Sequence, residues 1–176
     1  MAHAAKTYVI QVAAGREEHA RSLIERLADP DVVQEVFIPQ WQKRMTCPGG
    51  GARVEAKLLT PGYLYVVTPD VDEVARQLRD VPTFTRLLGG DAGFVPLTDD
   101  ELAWMSALTR PGHRNVEMSH AVKDGDRVRV VDGPLMGLEA HIVKTNAHKR
   151  LAWIEFPIMG RAKVVKVGLE VVRNAI

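Results

Sequence analysis

Cysteine, aromatic residues and long apolar runs are all scarce in this chain of 176 residues. The single cysteine, Cys47, cannot form an intrachain disulfide, and so little cysteine is typical of a protein from a reducing compartment. No apolar run approaches the roughly 18 residues that a membrane-spanning helix needs. Residues 1–6 lack the apolar centre of a signal peptide. We therefore expect a cytoplasmic protein that does not insert into a membrane.

Side chains that could carry catalysis or bind a metal ion are present, but they are not arranged for either task. The histidines do not fall at metal-ligand spacing with one another or with Cys47. The acidic run at residues 99–101 opens a helix and does not form a carboxylate pair for acid–base work, and no serine lies in an elbow motif. The residues considered are His3, His19, His113, His120, His141, His148, Ser22, Ser106 and Ser119. We expect no enzyme activity, no metal ion and no cofactor.

Charge is divided unevenly along the chain. Residues 1–109 contain 11 lysines and arginines against 15 acidic residues, whereas residues 110–176 contain 12 against 7. A mildly acidic first part followed by a basic second part is typical of two domains with different partners. Nucleic acid is one candidate partner of the basic part, and solvated surface charge explains the same counts equally well.

The hydrophobic pattern predicts an α+β first domain over residues 1–109, in which helices pack on an antiparallel sheet. The predicted strands are 7–12, 32–38, 63–67 and 81–88, and the predicted helices are 16–28, 70–78 and one that opens at Thr98. Thr98, followed three residues later by Glu101, has the spacing of a capping box. Residues 40–56 form either a loop or an open hairpin, and their three consecutive glycines lack the Lys-Ser/Thr pair of a phosphate-binding loop.

The hydrophobic pattern of the sequence changes after residue 109. Residues 110–120 contain a Pro-Gly pair and no hydrophobic period, which predicts a linker. Short strands then alternate with turns, at 128–131, 139–143, 151–156 and 162–167, with a candidate fifth at 169–172. A run of about fifty residues of this kind is typical of a small β-barrel, which we assign to residues 121–176.

The stretch that begins at Pro61-Gly62 is the one around which the first domain is organised. Pro-Gly predicts a turn, and the aromatic and β-branched residues after it predict a strand. Tyr63 and Tyr65 then share one face, while Leu64 and Val66 share the other. Both faces are apolar, so the strand is central and covered on both sides. The cover of the tyrosine side is either the core of the domain or a partner protein, because tyrosine is enriched at interfaces.

Several motifs, taken together, resemble those of a known family. The run from Gly125 to Ile142 has alternating valines, then Gly133-Pro134 and a further glycine, and it resembles a KOW motif. The first part is similar to the N-terminal domain of NusG in the order and spacing of four segments: Tyr8-Val-Ile-Gln-Val12, Pro61-Gly-Tyr-Leu-Tyr-Val66, Val81-Pro82 and Pro96-Leu97-Thr98. The chain therefore resembles the NusG family over nearly its whole length.

Two further segments, Phe37-Ile-Pro39 and residues 146–154, are similar to the LoaP antitermination subgroup. Three positions depart from the usual family pattern: Thr7 replaces a tryptophan, Thr60 replaces a phenylalanine and Ala140 replaces a glycine. The first two changes reduce the apolar docking patch that the resemblance implies, and the third affects a turn of the barrel.

The resemblance implies an N-terminal domain of the NusG type followed by an SH3-like KOW barrel, in a transcription elongation or antitermination factor. The N-terminal domain would dock on the clamp of the largest RNA polymerase subunit through an uncovered apolar surface with aromatic anchors. The matching residues are Tyr8, Pro61, Tyr63, Tyr65 and Phe84, of which Phe84 fits a core position better.

The same resemblance implies contacts with the non-template DNA strand at Arg16, Arg26 and Arg79, since arginine can pair with phosphate or stack on a base. Acidic neighbours at residues 17, 18 and 80 weaken the positive field, and a solvated surface explains these arginines equally well.

For the barrel, the resemblance implies a second partner, which is a nascent RNA hairpin, the ribosomal protein S10 or Rho. We expect one compact basic patch that binds RNA phosphates. Its members are Lys144, His148, Lys149, Arg150, Arg161 and Lys163. The alternative hypothesis is an RNA-binding or translation-associated KOW protein that makes no contact with polymerase.

Overall fold

The structure is a computed structural model, and it describes residues 3–82, 84 and 93–173. The chain forms two compact units. The first unit consists of Met1–Ile38 with Thr60–Leu102, and the second consists of Pro39–Leu59 with Ala103–Ile176. Each unit contains its own antiparallel strand pairs, so neither depends on the other for its sheet hydrogen bonds.

Helices and strands alternate in the first part of the chain, and strands dominate the second. The helices with defined bounds are α1 (Glu17–Leu27), α2 (Val71–Arg79) and α3 (Asp99–Leu108). The strands are β1 (Lys6–Gln11), β2 (Glu35–Phe37), β3 (Gln40–Thr46), β4 (Ala52–Leu58), β5 (Tyr63–Thr68), β6 (Val95–Pro96), β7 (Asn115–Val116), β8 (Ser119–Asp124), β9 (Arg127–Asp132), β10 (Ile142–Asn146), β11 (Leu151–Ile158) and β12 (Arg161–Arg173).

In the first unit, β5 lies inside a four-stranded antiparallel sheet of order β2-β5-β1-β6. It pairs with β1 along its whole length, from Tyr63 to Thr68, and with β2 through Phe37 opposite Tyr65. Every residue of β5 except Val67 is buried. The prediction of a central strand that is covered on both faces is confirmed.

Side-chain caps explain where α2 and α3 begin. Asp70 Oδ1 accepts a hydrogen bond from the Glu73 N–H at 3.0 Å. Thr98 Oγ1 accepts from the Glu101 N–H at 3.2 Å, and Glu101 Oε2 accepts from the Thr98 N–H at 2.9 Å. This reciprocal pair satisfies backbone donors that have no partner within the helix, so the predicted capping box is confirmed.

The predicted strand 81–88 is wrong at the positions that the structure describes. Pro82 and Phe84 are helical. Proline suits the first turn of a helix because its missing N–H would have no partner there. The rest of that predicted strand, residues 83 and 85–88, lies outside the described residues. The sheet is instead extended by β6, in which Val95 pairs with Val9 and Pro96 with Tyr8.

In the second unit, residues 40–58 form a hairpin. β3 and β4 pair in antiparallel from Gln40 opposite Leu58 to Thr46 opposite Ala52. The glycines at 49–51 in its tip have φ angles of 90°, 93° and 97°, a left-handed region that residues with a Cβ rarely adopt. These glycines therefore shape a turn, and the hairpin is the correct one of the two alternatives.

The C-terminal strands form a five-stranded sheet of order β10-β11-β12-β8-β9. The long strand β12 is shared between two partners. It runs antiparallel to β11 as far as Gly168 and then parallel to β8 from Leu169, which lies opposite Ser119. A strand that changes partner halfway lets a small sheet curl around one core. The predicted small KOW barrel is confirmed.

Close packing against β8 explains the glycine in the Gly-Pro pair of the KOW motif. Gly133 has φ 98°, and a Cβ built on it would lie 2.6 Å from the Cα of Ser119. Ser119 Oγ also accepts a hydrogen bond from the Leu135 N–H at 3.0 Å. Since no other residue fits so close to the backbone of β8, glycine at this position allows the turn after β9 to pack against β8.

Two barrel strands differ from their predicted bounds. Residues 139–141 form a single 3₁₀ turn that contains Ala140, so β10 begins at Ile142 and not at residue 139. The candidate fifth strand at 169–172 is the second half of β12.

Residues 110–120, predicted as a linker, contain strand structure. β7 pairs in parallel with β3 through Val116 opposite Trp41, and β8 begins at Ser119. The second unit also includes the hairpin β3–β4, because the hairpin lies close to β12: a Cβ on Gly168 would be 2.6 Å from the Gln42 carbonyl oxygen. The domain limits 1–109 and 121–176 stay a prediction.

Candidate functional site

The side of β5 that carries Tyr63 and Tyr65, here called the tyrosine face, is closed in this structure. Tyr63 is 7% exposed and Tyr65 is 1% exposed. The Tyr65 ring stacks on Phe37, with ring centres 5.2 Å apart and planes 13° from parallel. The expectation that these rings lie uncovered is therefore wrong for this conformation, in which they are core residues.

Tyr65 brings a polar group into this core. Its hydroxyl and the hydroxyl of Thr60 are buried, and neither has a hydrogen-bond partner of good geometry among the described residues. Burial raises the pKa of the Tyr65 phenol well above its ordinary value; the Thr60 hydroxyl opposes part of this shift and the negative charge of Glu101 adds to it. The phenol is therefore neutral at physiological pH.

The other three predicted docking residues do not join the tyrosine face on one surface. Tyr8 is half-buried and lies opposite Val66, so it belongs to the other face of the sheet. Pro61 is exposed in the turn before β5, and Phe84 is buried. A partner can therefore reach Pro61 and part of Tyr8 directly, but not the tyrosine face.

A buried carboxylate fixes the turn that precedes β5. Glu17 is 3% exposed, and its Oε1 accepts a hydrogen bond from the Gly62 N–H at 2.7 Å. The Gly62 carbonyl accepts from the Val12 N–H at 2.8 Å, and Gly62 has φ 85°. Sequence reasoning took Glu17 for a surface acid, because a contact between residues 45 positions apart leaves no local pattern. The turn that holds Pro61 is thus anchored to α1 and to the end of β1.

The three arginines predicted to contact DNA lie at helix ends of the first unit. Arg16 directly precedes α1, Arg26 lies in its last turn and Arg79 ends α2; all three are exposed. Arg16 and Arg26 are about 15 Å apart along the axis of α1, so they could reach different phosphates. Within the residues that the structure describes, none of the three forms an ion pair.

Two of the acids on α1 pair with an arginine other than Arg16 and Arg26. Glu18 and Glu25 both bind Arg21, whose Nε lies 3.1 Å from Glu18 Oε1 and whose Nη1 lies 2.9 Å from Glu25 Oε1. The hydrogen bond from Arg21 holds the pKa of the Glu18 carboxyl below its usual range. Glu17 is buried, so it is not part of the accessible charge beside Arg16.

The six basic residues predicted to bind RNA do not form one compact patch. Lys144 and the turn 148–150 adjoin the start of β11, whereas Arg161 and Lys163 follow its other end. The two ends of this eight-residue strand are about 23 Å apart. The expectation of a compact set is wrong because two turns at opposite ends of one strand carry its members.

Within the group at the start of β11, Arg150 is engaged by the protein itself. Its Nε lies 3.6 Å from Glu170 Oε1, and Glu170 Oε2 lies 3.3 Å from Arg44 Nη1 of the hairpin. Glu170 therefore forms ion pairs with both Arg44 of the hairpin and Arg150 of the turn. His148 and Lys149 are exposed in the same turn.

Sequence reasoning missed a lysine–tryptophan arrangement on the second unit. Lys144 lies opposite Trp153, and its Nζ is 5.3 Å from the centre of the Trp153 ring. Lys166 lies opposite Trp153 on the other side, in β12. The alternation of β11 carries the signal, because its even-numbered residues are buried and the odd-numbered residues after Leu151 face outward.

The hairpin β3–β4 carries another group of cations. Lys57 Nζ lies 3.0 Å from Glu55 Oε2, Arg53 Nη2 lies 2.5 Å from Glu55 Oε1, and Lys43 lies opposite Glu55. The hydrogen bond from Lys57 lowers the pKa of the Glu55 carboxyl, and the charges of Arg53 and Lys43 add to this effect. Three cations around one carboxylate leave this side of the hairpin positive.

Among residues 3–82, 84 and 93–173, no three histidine, cysteine or acidic side chains come together as a metal site would require. In the same part of the chain, no helix has the length and apolar character needed to cross a membrane.

Comparison with known proteins gives matches over both parts of the chain. The family model described as transcription termination factor nusG matches residues 5–106, and the KOW motif model matches residues 125–156. The chain is 30% identical to the transcription termination/antitermination protein NusG of Lactococcus lactis, over 95% of this chain and 91% of that protein. It is 26% identical to the protein of the same name from Thermus thermophilus, over 96% of this chain and 97% of that protein.

A solved structure described as domain interaction in Thermotoga maritima NusG has a similar fold, with a TM-score of 0.51 at 20% identity and 93% coverage of both chains. The fold, the order of the two motifs and the full-length relatives agree with one another. The chain belongs to the NusG family.

Proposed function

We propose that this protein is a NusG-type transcription elongation and antitermination factor that binds RNA polymerase through its N-terminal part and recruits RNA or a protein through its KOW barrel. The observation that carries the proposal is the pair of family matches, which lie at 5–106 and 125–156 in the order of full-length NusG relatives. On this proposal the functional limits are 1–109 for the polymerase-binding domain, 110–120 for the connection and 121–176 for the barrel.

The polymerase contact on this proposal is with the clamp of the largest subunit. Pro61 and Tyr8 supply accessible apolar contact area, and the turn of Pro61 is held by Glu17, which keeps it in place before a partner arrives. Such preorganisation lowers the entropy that binding must overcome. By holding the clamp in its elongating conformation, the protein would shift a population and catalyse no reaction.

Tyr63 and Tyr65 take part only after their cover has moved, since both are buried. The apparent affinity for polymerase is then lower than the intrinsic affinity, in proportion to the fraction of molecules in which the tyrosine face is open. On this proposal Pro61 and Tyr8 contact polymerase first, and Tyr63 and Tyr65 contact it only in molecules whose tyrosine face has opened.

The exposed arginines at 16, 26 and 79 are proposed to contact the non-template DNA strand. Their support is that they are accessible, that Glu18 and Glu25 of the same helix pair with Arg21, and that Glu17 is buried. Long-range attraction to phosphate should make this part of the binding sensitive to salt.

The barrel is proposed to recruit a second partner, which is structured nascent RNA, the ribosomal protein S10 or Rho. The group at Lys144, His148 and Lys149 is exposed at the start of β11 and supports an RNA partner of the kind expected for a LoaP-like antitermination factor. Arg161 and Lys163 lie at the other end of the strand and would serve a separate contact.

The test is a termination read-through assay with purified RNA polymerase, combined with a direct measurement of polymerase binding. We compare the wild type with Pro61→Asp, Tyr8→Ala and Tyr63→Ala. Pro61→Asp places a charge in the apolar contact and should weaken polymerase binding about tenfold or more. Thr46→Asp, at an exposed position of β3 away from the proposed contact residues, is the matched control for an added charge and should bind normally.

Tyr63→Phe separates a docking role from a packing role, because it keeps the ring and removes only the hydroxyl. Thermal melting of every variant identifies those that fail because they unfold. If the wild type does not bind polymerase but does bind RNA, the alternative of an RNA-binding KOW protein without polymerase contact replaces this proposal.

A further inference from the structure

One face of the second unit combines an aromatic ring with lysines on both sides. In β11, Trp153 and Glu155 point outward while Ile154 between them is buried. The outward position of β12 opposite Trp153 is Lys166, and the one opposite Glu155 is Val164, which is 56% exposed. With Lys144 on β10, these side chains form an outward row across three strands. We call Lys144, Trp153, Val164 and Lys166 the tryptophan face.

The position of Lys144 indicates that one side of the Trp153 ring is not packed against the core. Its ammonium lies 5.3 Å from the ring centre, within the range of a cation–π contact. A lysine end is flexible and strongly hydrated, so it covers the ring without sealing it. An incoming planar group can displace it and take the same place.

The charges around the ring favour an anionic partner. Lys144 and Lys166 flank Trp153 in the same row, and the exposed Lys149 lies in the turn between β10 and β11. Glu155 is the acid among the outward residues of β11, two positions further along the strand. An aromatic platform between two cations can hold a nucleobase on the ring and the phosphates on either side of it on the lysines.

We propose that the tryptophan face binds single-stranded nucleic acid by stacking one base on Trp153, with neighbouring phosphates on Lys144 and Lys166. A base inside a duplex does not expose its flat side, so the site selects unpaired segments. The inference extends the proposed recruitment of RNA by the barrel and rests on that part of the proposed function. It adds Trp153 and Lys166, and it changes the chemistry from phosphate contact alone to stacking.

The experiment measures binding of the full chain to fluorescently labelled oligouridine and oligothymidine of about 12 nucleotides, a length within the site sizes of single-strand-binding folds. The dissociation constant is determined at several salt concentrations. Trp153→Leu keeps an apolar side chain but removes the flat ring, and should weaken binding about tenfold or more without changing the salt slope. Trp153→Phe keeps a ring and should retain most of the affinity.

Lysine variants test the phosphate contacts separately. Lys144→Gln and Lys166→Gln should each reduce the slope of log K against log salt by about 0.7, the value for one phosphate contact on a single strand. Lys123→Gln, an exposed lysine of β8 outside this face, is the matched control and should leave the slope nearly unchanged. Quenching of tryptophan fluorescence by the oligonucleotide should disappear in Trp153→Leu, although Trp41 and Trp104 remain.

The proposal is overturned if Trp153→Leu, shown by melting to be folded, binds as tightly as the wild type. It is also overturned if the wild type binds only base-paired RNA or only proteins. Oligouridine and oligothymidine distinguish RNA from single-stranded DNA as the preferred ligand. Polymerase binding by Trp153→Leu is measured in parallel and should be normal, so failure of the stacking site and failure of the polymerase proposal give different results.

Discussion

The tyrosine face of β5 and the tryptophan face of β11 are two aromatic strand surfaces that differ in burial. Tyr63 and Tyr65 lie on a strand that has neighbours on both edges and cover on both faces, and their rings are core. Trp153 also lies on an inner strand of its sheet, but it points away from the core, and the end of Lys144 lies over its ring. Aromatic residues in a strand therefore do not identify a docking surface until the cover on their face is known.

The largest expected difference is in stability. Tyr65→Ala removes a fully buried ring that stacks on Phe37 and should lower the free energy of unfolding by about 3–5 kcal/mol. Trp153→Ala removes a partly exposed ring and should cost clearly less. Urea denaturation monitored by circular dichroism measures both. Equal losses would mean that the two faces do not differ in burial.

The next largest effect concerns carboxylates that accept backbone hydrogen bonds in the two units. Glu17→Ala leaves the Gly62 N–H without its buried acceptor and should cost about 1–3 kcal/mol. Glu139 accepts from the Val130 N–H at 3.2 Å in a more open setting, so Glu139→Ala should cost less. The midpoints of urea unfolding compare the two, and a larger loss at Glu139 would contradict the comparison.

The buried phenol of Tyr65 predicts a loss of stability in alkali. Burial raises the pKa of Tyr65 in the folded state, so the unfolded chain, whose tyrosine ionises near pH 10, releases the proton first. The stabilising contribution is complete below about pH 10 and falls above it, by about 1.4 kcal/mol per pH unit.

The matched variant for this effect is Tyr65→Phe, which has no proton to lose. Its stability should fall less steeply above pH 10 than that of the wild type. Its stability at neutral pH should be equal or higher, because the hydroxyl that it lacks has no good partner. The same steepness in both proteins would contradict the burial of the phenol.

The smallest effect is expected at Lys144. Its contact with Trp153 is at the surface, and Lys144→Gln should change the free energy of unfolding by no more than about 1 kcal/mol. A larger loss in urea denaturation would indicate that the lysine seals the ring, and the tryptophan face would then resemble the tyrosine face.

Local patterns in the sequence predicted the parts of the fold that depend on local chemistry. The alternation around Tyr63 predicted a central strand, and the Thr98–Glu101 spacing predicted the capping box of α3. The strands β7 and β8 were missed, because the Pro-Gly pair near them and their lack of a hydrophobic period are typical of a linker. β7 pairs with β3 and one edge of β8 pairs with β12, both far away in sequence, and no local pattern encodes such pairings. The other edge of β8 pairs with the neighbouring β9, a hairpin that the prediction of a linker up to residue 120 did not include.

The candidate sites were predicted less completely for the same reason. The strand pattern identified the tyrosines as candidate contact residues. It did not show that Phe37 and the rest of the core would enclose Tyr65. Counting basic residues grouped Lys144 with Arg161, although β11 separates them, and overlooked Lys166, which lies across from Trp153. Distances between residues, and not residue types, decided which of these side chains can act together.

The shared strand β12 has a consequence for the way the protein is made. Synthesis on the ribosome delivers β8 about fifty residues before Leu169, the first residue of β12 that pairs with it. The edge of β8 that faces β12 therefore stays unpaired until those residues of β12 have emerged, whereas its other edge can pair with the neighbouring β9 at once. This long-range pairing completes the barrel later than the local hairpins do, and until then the unpaired edge is a point at which chaperones, or a stalled ribosome, could influence the yield of folded protein.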